Sequence, residues 1–548
     1  MPSPFHPGSI AAKPKSASVV DSVLGWLVLI LLLAPGLHAT SYYIDPAKGA
    51  DTNTGVSQDT PWKHLARLQR EELSPGDIVH LRRGAIFRET LHTSASGTPD
   101  QPITYSAYGE GEAPSLRGSD TFNDPRDWSE KSPGLWYAIG FEHDPGMIVH
   151  DGTTGRRIEG EDTATTPWDY WYDAARKRIY VRNDRNPATA AKSLEIPVRE
   201  YTIAPQEHSH IVFQDLDFRQ PWHMAWAGWK ANGVTFKNCS FSHSPGNHLQ
   251  FQMGARDGRV AGCRFDDWNL EDKRNYAIQA INEGTGPIDI EDCAFTATRA
   301  GGGEDHTAIM NDENSWVRSV RRCTFDGQHG NLADDGIVIW HLAQQATEVT
   351  IEDNTLRGLG GSAIIVQELE HHGAAPAVTV RRNRIEEVCL RDDLDKEALR
   401  LRVFTPASRV LAHHNVIRGS FDGRNDHFGI GITEASGVRL YHNLITGTDN
   451  AIHLKSSARD AIIANNIVTK NRGFGIAVQP GSTVVLLENN CFHENGGGDS
   501  QYVDLPASNL SADPQLQPDG TLAPGSPCTG AGRMLEEFST TGAPNIGP

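Results

Sequence analysis

Residues 349–356 read Val-Thr-Ile-Glu-Asp-Asn-Thr-Leu, residues 378–385 read Val-Thr-Val-Arg-Arg-Asn-Arg-Ile, and residues 438–445 read Val-Arg-Leu-Tyr-His-Asn-Leu-Ile. The frame is apolar, any, apolar, two residues, Asn, any, apolar. It occurs earlier with Cys in the Asn place, as Val-Thr-Phe-Lys-Asn-Cys-Ser-Phe at 234–241 and Ile-Asp-Ile-Glu-Asp-Cys-Ala-Phe at 288–295. The marked position falls at Leu216, Cys239, Cys263, Cys293, Cys323, Asn354, Asn383, Asn415, Asn443, Asn466 and Asn490, at intervals of 23 to 32 residues. A base period near 23 with variable additions fits one coil of a solenoid carrying loops of differing length.

Each coil holds a second signal, Gly or Ala followed by Ile-x-Ile/Val. Examples are Gly336–Ile339, Ala363–Val366, Gly429–Ile432, Ala451–Leu454 and Gly475–Val478. These period-2 runs are too short for helices, and no helical segment separates them, so a βαβ sheet is excluded. Parallel coils stacked about 4.8 Å apart remain, and eleven of them make a rod about 50 Å tall. A tight corner wants left-handed backbone dihedrals, which Asn tolerates, so the marked Asn is expected to take them. Stacked Asn side chains are expected to hydrogen-bond along the rod. The four leading cysteines are expected to stack likewise. Their Cβ atoms would then lie about 4.8 Å apart, beyond the usual ~3.5–4.5 Å of a disulfide, so a thiol ladder is expected rather than bridges, with a bridge between neighbours as the other reading.

The repeat resembles the right-handed parallel β-helix of the pectin lyase-like superfamily. The stretches Tyr42-Tyr-Ile-Asp-Pro46, Thr60-Pro-Trp62, Pro75-Gly-Asp-Ile-Val79 and Arg83-Gly84 resemble the N-terminal coils of exported β-helix proteins. Ser526–Gly532 and Asn545–Gly547 resemble their closing segment. The resemblance implies an all-β solenoid of three strands per coil, with Gly-Ile-x-Ile first and the Asn corner between the second and third. That superfamily holds lyases, hydrolases, epimerases and non-enzymatic adhesins, so fold alone does not choose among them.

The chain has 548 residues, enough for two or three domains, and the repeat replaces that expectation with one solenoid carrying additions. Gly (53) and Pro (31) are frequent because every coil needs corners. A formal charge of −19 argues against nucleic acid and anionic membrane as general partners. Seven cysteines, an odd number with no CxxC, argue against a full disulfide framework and a structural zinc site. Lys13 and Lys15 precede an apolar run, Leu24–Leu33, then Pro35-Gly36 and Leu37-His38-Ala39, which reads as an export signal cleaved after Ala39. An uncleaved N-terminal anchor is the other reading. The expected organisation is a signal peptide over 1–39, an N-terminal cap and first coils over 40–120, and a small aromatic-rich β insertion over 121–200. Helix repeats follow over 201–497 and an irregular C-terminal segment over 498–548. Segment 66–73 is expected to be a short capping helix, and 173–180 a hairpin. The insertion's aromatics are expected to form its own core, with sugar stacking as the alternative. The mature protein is expected to be a monomer, periplasmic or extracellular, without stable membrane insertion.

In the resembled fold the enzymes bind polysaccharide on the outer face of the first sheet. Alternation along a strand turns the residues between Ile and Val outward. One expected outward column is Gln250, Gln279, Met310, Val338, Ile365, Arg402, Gly431, His453 and Ala477. The other is Gln252, Ile281, Asp312, Trp340, Gln367, Phe404, Thr433, Lys455 and Gln479. Trp340 and Phe404 suit sugar stacking, with Gln367 and Glu434 as further substrate contacts. The loops entering this sheet, 266–276, 296–307, 326–335, 386–399 and 418–428, are long enough to be functional.

Two patches follow. The acidic one is Asp305, His306, Asp312, Asp334 and Asp335. Carboxylates one or two coils apart span both separations used in glycoside hydrolysis, and Asp334-Asp335-Gly336 resembles the paired aspartates of polygalacturonases. That family's other motifs, its Arg-Ile-Lys strand included, are missing. Asp305, Asp312 and Asp335 are also candidate Ca²⁺ ligands; otherwise no cofactor is expected. The basic patch is Arg402, His427, Glu434, His453 and Lys455. β-Elimination of a uronate needs a cation for the carboxylate and a base for the α-proton, and in β-helix alginate and chondroitin lyases a Lys and an Arg on this sheet fill such roles. Lys455 would be the base and Arg402 the cation. The expected function is cleavage of a uronate-containing polysaccharide by β-elimination. The alternatives are a glycoside hydrolase using the aspartates and a non-catalytic glycan-binding or adhesive rod.

Overall fold

Short strands with apolar residues at alternate positions stack in parallel into three long sheets. The structure, a computed structural model, describes residues 39–205, 207–268, 270, 274–297, 306–328, 334–367, 376–391, 397–402, 408–419, 427–538 and 542–548. The expected signal peptide therefore lies outside the described residues, but for Ala39. Among the described residues the first sheet has 11 strands, from Trp226–Trp229 to Gly498–Gln501; the second has 14, from Ser41–Ile44 to Val484–Glu488, and the third 14, from Ile86–Phe87 to Leu510–Ser511. One coil runs Ile337–Ile339, Glu348–Glu352, Thr355–Arg357, and each strand pairs in parallel with its counterpart in the next coil. The molecule is a right-handed parallel β-helix, and Thr40–Pro548 forms one unit.

The inward faces make one continuous core from Tyr42 to Phe492. In the third sheet Phe241, Phe265, Phe295 and Phe325 stack at 4.7–5.0 Å with planes within 8° of parallel. Identical residues at identical register bring their rings to the coil spacing, so the repeat itself builds the stack.

The corner between second and third sheets differs from expectation by one residue. The left-handed φ falls on the residue before the marked one: Asp215, Asn238, Gly262, Asp292, Arg322, Asp353, Arg382, His414, His442, Asn465 and Asn489, at φ between +52° and +64°. That residue points away from the core, so polar side chains fit it. The next residue turns inward and is buried. Asn354 Nδ2 donates to Asn383 Oδ1 at 2.9 Å, Asn383 to Asn415 at 3.0 Å, and Asn415 to Asn443, Asn443 to Asn466 and Asn466 to Asn490 at 2.9 Å each. Each carboxamide also donates to a strand carbonyl and accepts a backbone N–H, as Asn415 does with Val380 O and Asn383 N–H. A second, shorter ladder, Thr448–Asn471–Asn495, lies beyond the third sheet. Cys239, Cys263, Cys293 and Cys323 extend the main column as buried free thiols, and Cys239 N–H donates to Cys263 Sγ at 3.4 Å. Burial holds the last three thiols well above the ordinary range.

The insertion forms two small sheets, mostly antiparallel, after Arg117, and the 173–180 hairpin is the Asp169–Asp173 and Arg178–Arg182 pair. Trp128, Phe141, Tyr170 and Ile179 belong to its own core. Buried Glu195 ties it to the early coils by accepting from Arg88 and Arg117. The capping helix is a 3₁₀ turn over Leu65–Arg70, shorter than 66–73 and shifted one residue toward the N-terminus. The coils also run past residue 497: Gly498–Gln501 and Leu510–Ser511 pair with the preceding coil, and Asn490 Nδ2 donates to Asn509 Oδ1 at 3.0 Å.

Asn415→Ala removes one rung and leaves buried partners on both sides unpaired. The expected loss is about 2–4 kcal/mol in chemical denaturation. A loss within about 0.5 kcal/mol, the range of ordinary surface substitutions, would show the ladder to be incidental.

Candidate functional site on the first sheet

Strand register decides which outward residues meet. Ile365 pairs with Arg400, and Arg400 with Gly431, which pairs with His453. Arg400, not Arg402, therefore stands in the His453 column. Arg402 follows Leu401 and falls in the column of Thr433 and Lys455, two coils from Lys455. The assignment of Arg402 to the first column and Phe404 to the second was two residues out of register. Phe404 itself lies outside the described residues.

The middle of this face is apolar and covered. Met310, Val338 and Ile365 are buried against Tyr276 and Trp340. Trp340 is half-buried, and among the described residues its Nε1 has no hydrogen-bond partner. Gln367, next in its column, is buried.

The ionic cluster lies beyond, on strands Glu397–Leu401, Phe428–Thr433 and Ile452–Lys455. Glu397 is 2% exposed. Its carboxylate accepts from Lys455 Nζ, and Arg400 Nε lies 3.9 Å from it. This reach passes over Gly431, where an added Cβ would lie 2.5 Å from Glu397 Cγ. Arg402 Nη2 donates to Glu434 Oε2 at 3.0 Å, and Glu434 sits in a left-handed turn at φ +52°. His453 is 8% exposed, its ring 4.8 Å from the Phe428 ring. Burial lowers its pKa below the ordinary value, the charge of Lys455 lowers it further, and Glu397 opposes both. Among the described residues, His453 Nδ1 and Thr433 Oγ1 are buried without hydrogen-bond partners. His427 is tied by its backbone: its N–H donates to Asp449 Oδ2 at 2.9 Å. His453 thus feels the charges of Lys455 and Glu397, with Arg400 two coils away in its own column and Arg402 in the Lys455 column, a set of cations able to hold an anion on this face.

The acidic residues are placed differently. Asp334 is buried and accepts from Arg391 Nη1 at 2.8 Å and from His306 N–H at 3.0 Å. Asp335 Oδ1 accepts from Ser362 N–H at 2.7 Å. Asp312 pairs with His341 Nδ1 at 2.8 Å. Asp334 and Asp335 thereby join successive coils. Asp305 lies outside the described residues. Among the described residues no group of three or more His, Cys, Asp or Glu is placed to hold a metal ion. Nor is any helix among them long and apolar enough to cross a membrane.

Glu397 was missed because 386–399 read as loop, and Arg400 because its strand was set two residues out of register. The signal was present: Ala398-Leu-Arg-Leu401 aligns with Ala451-Ile-His-Leu454, which sets Arg400 against His453 and Arg402 against Lys455.

The family model described as a right handed beta helix region matches residues 335–504, the part of the chain that carries this cluster. The chain is a right-handed parallel β-helix protein. Over 77 residues it is 42% identical to a lacto-N-biosidase of Bifidobacterium longum subsp. longum, covering 13% of this chain and 5% of that one. The chain thus spans a small fraction of the curated relative it matches. Among solved structures, XylC in complex with xylose is similar in fold, with 12% identity, 87% of each chain covered and a TM-score of 0.50. The pectate lyase Pel9A aligns over 93% of this chain and 96% of that one at 13% identity, with a TM-score of 0.32.

The Gly431 gap gives a direct test. Gly431→Ala should displace Glu397 and cost about 1–3 kcal/mol of stability in denaturant. In a Glu397→Ala background most of that cost should disappear. Equal costs in both backgrounds would show that Glu397 does not occupy the gap.

Proposed function

We propose that the protein is a carbohydrate-active enzyme that cleaves a uronate-containing polysaccharide by β-elimination on the outer face of the first sheet. The observation that carries this reading is His453, its pKa lowered by burial and by Lys455, on the same outward face as Arg400, Arg402 and Lys455. Lys455 is ion-paired with Glu397, which makes it a positioned cation; the role of base passes to His453.

In this reading the substrate carboxylate lies against Arg402 and Lys455. Their charge stabilises the enolate-like anion formed when His453 takes the proton on the carbon next to the carboxylate. The electron pair forms the ring double bond, and the bond from the neighbouring carbon to the glycosidic oxygen breaks. The leaving oxygen takes up a proton, which the imidazolium supplies when both groups face it. Trp340 and Gln367, two and one coils before Arg402 in its column, offer a stacking platform and a polar contact for adjoining sugars.

Hydrolysis is the second reading, favoured by the 77-residue likeness to a lacto-N-biosidase. Incubation with a panel of uronate and neutral glycans separates the two. β-Elimination predicts unsaturated uronate ends, seen by ultraviolet absorbance, together with new reducing ends. Reducing ends without absorbance would sink elimination, and binding without either product would leave a glycan-binding rod. His453→Ala should lower turnover by about 10²–10⁴-fold. Chelator added to the same reactions tests whether Ca²⁺ is needed: activity lost with chelator and restored by Ca²⁺ shows a requirement, and unchanged activity shows none.

A further inference from the structure

The seven cysteines fall into three groups. Four form the ladder, and Cys389 is buried in the main core. The last two, Cys491 and Cys528, belong to neither column. Cys491 opens the third-sheet strand Cys491–His493, where its register partners Leu444 and Ile467 precede it, and the side chains of this column lie outside the main core. The C-terminal segment covers that column. Leu516, Leu522, Cys528, Ala531 and Ile546 pack on Leu444, Ile467 and Cys491. Cys491 and Cys528 are both 0% exposed and lie in the same small buried cluster, where Cys491 Sγ donates to Ala512 O at 3.2 Å.

Everything else holding this segment is non-covalent. Asn465 grips it by donating to Arg533 O at 2.9 Å and accepting from Arg533 N–H at 2.7 Å. Asn489 Nδ2 donates to Ala531 O at 2.9 Å, and Gly547 N–H donates to Asn465 O at 2.7 Å. Unlike the ladder sulfurs, which are fixed at the spacing of successive coils, Cys528 sits on an irregular segment free of sheet register.

We propose that Cys491 and Cys528 form a disulfide that locks the C-terminal segment onto the last coils. The co-reactant is a disulfide oxidant, such as glutathione disulfide. The Cys528 thiolate attacks one sulfur of the oxidant, giving a mixed disulfide and one released thiolate. The Cys491 thiolate then attacks the Cys528 sulfur, forming the protein S–S bond and releasing the second thiolate. The two cysteine protons pass to the two released thiolates, so the protein loses two electrons and the oxidant gains them. Both sulfurs are enclosed in the finished fold, so exchange occurs while the segment is open, during folding or transient release.

The full chain is folded in a glutathione/glutathione disulfide buffer, denatured without reductant, alkylated and mapped by mass spectrometry. The expected result is one cross-linked peptide pair joining Cys491 to Cys528, with the other five cysteines alkylated. Seven alkylated cysteines, or a cross-link that includes a ladder cysteine in place of this pair, overturns the proposal. Limited proteolysis supplies the second readout. Reductant should speed cleavage within residues 512–548 of the wild type by about tenfold or more, as expected for ~1.4 kcal/mol of lost local stability. Cys528→Ser should show the fast rate with or without reductant. A wild-type rate indifferent to reductant also overturns it.

Discussion

A buried carboxamide in each of six successive coils, hydrogen-bonded to its neighbours above and below, sets the register on which the rest of this molecule depends. The column from Asn354 to Asn490 sits at the same corner of each coil, and Asn509 adds a last rung. A buried amide must satisfy its donors and its acceptor, and here both needs are met only when successive coils are in phase. Slipping one strand by a residue would turn its apolar set outward and break two rungs at once. The positive-φ residue before each Asn has a backbone cost, which the rung beside it offsets.

Register in turn makes the candidate site. Loops of 23- to 32-residue coils vary freely, yet the first-sheet strands they deliver stay in phase. Arg402, Thr433 and Lys455 consequently share one column, and Arg400, Gly431 and His453 the next. Gly431 is the gap in that array. It lets Glu397 cross from one coil to reach Lys455 two coils on, burying a carboxylate that organises the surrounding cations. Such a buried ionic group contributes placement more than stability, because desolvation consumes much of its Coulomb gain.

The fold was legible because its signals repeat. One Asn corner is weak, but eleven corner positions at a shared period leave few alternatives, and the inward Ile-x-Ile pattern identifies the first sheet. The corner was misread by one residue because both neighbours are often polar, and sequence alone does not say which of Asp353 and Asn354 turns inward. The site was legible in part. His453 and Lys455 stand on a clean Ala-Ile-x-Leu strand. The neighbouring strand reads Ala-Leu-Arg-Leu followed by Arg402 and Val403, and its extra apolar residue invites a two-residue slip. Asp334 and Asp335 looked catalytic because paired acids at a strand entrance serve two purposes. Here Arg391 and the Ser362 amide engage them as struts between coils.

The central functional claim is that His453, its pKa lowered by burial and by Lys455, accepts the substrate proton. The direct test is the pH dependence of kcat/KM for release of unsaturated uronate ends, in the wild type and in Lys455→Ala. The account predicts activity that rises with pH through a single ionisation below the ordinary histidine value of 6.5. Removing Lys455 should move that ionisation upward, since a lowering charge is lost while Glu397 remains. An acid limb at the same pH in both proteins, or no unsaturated product from any uronate polymer, would contradict it.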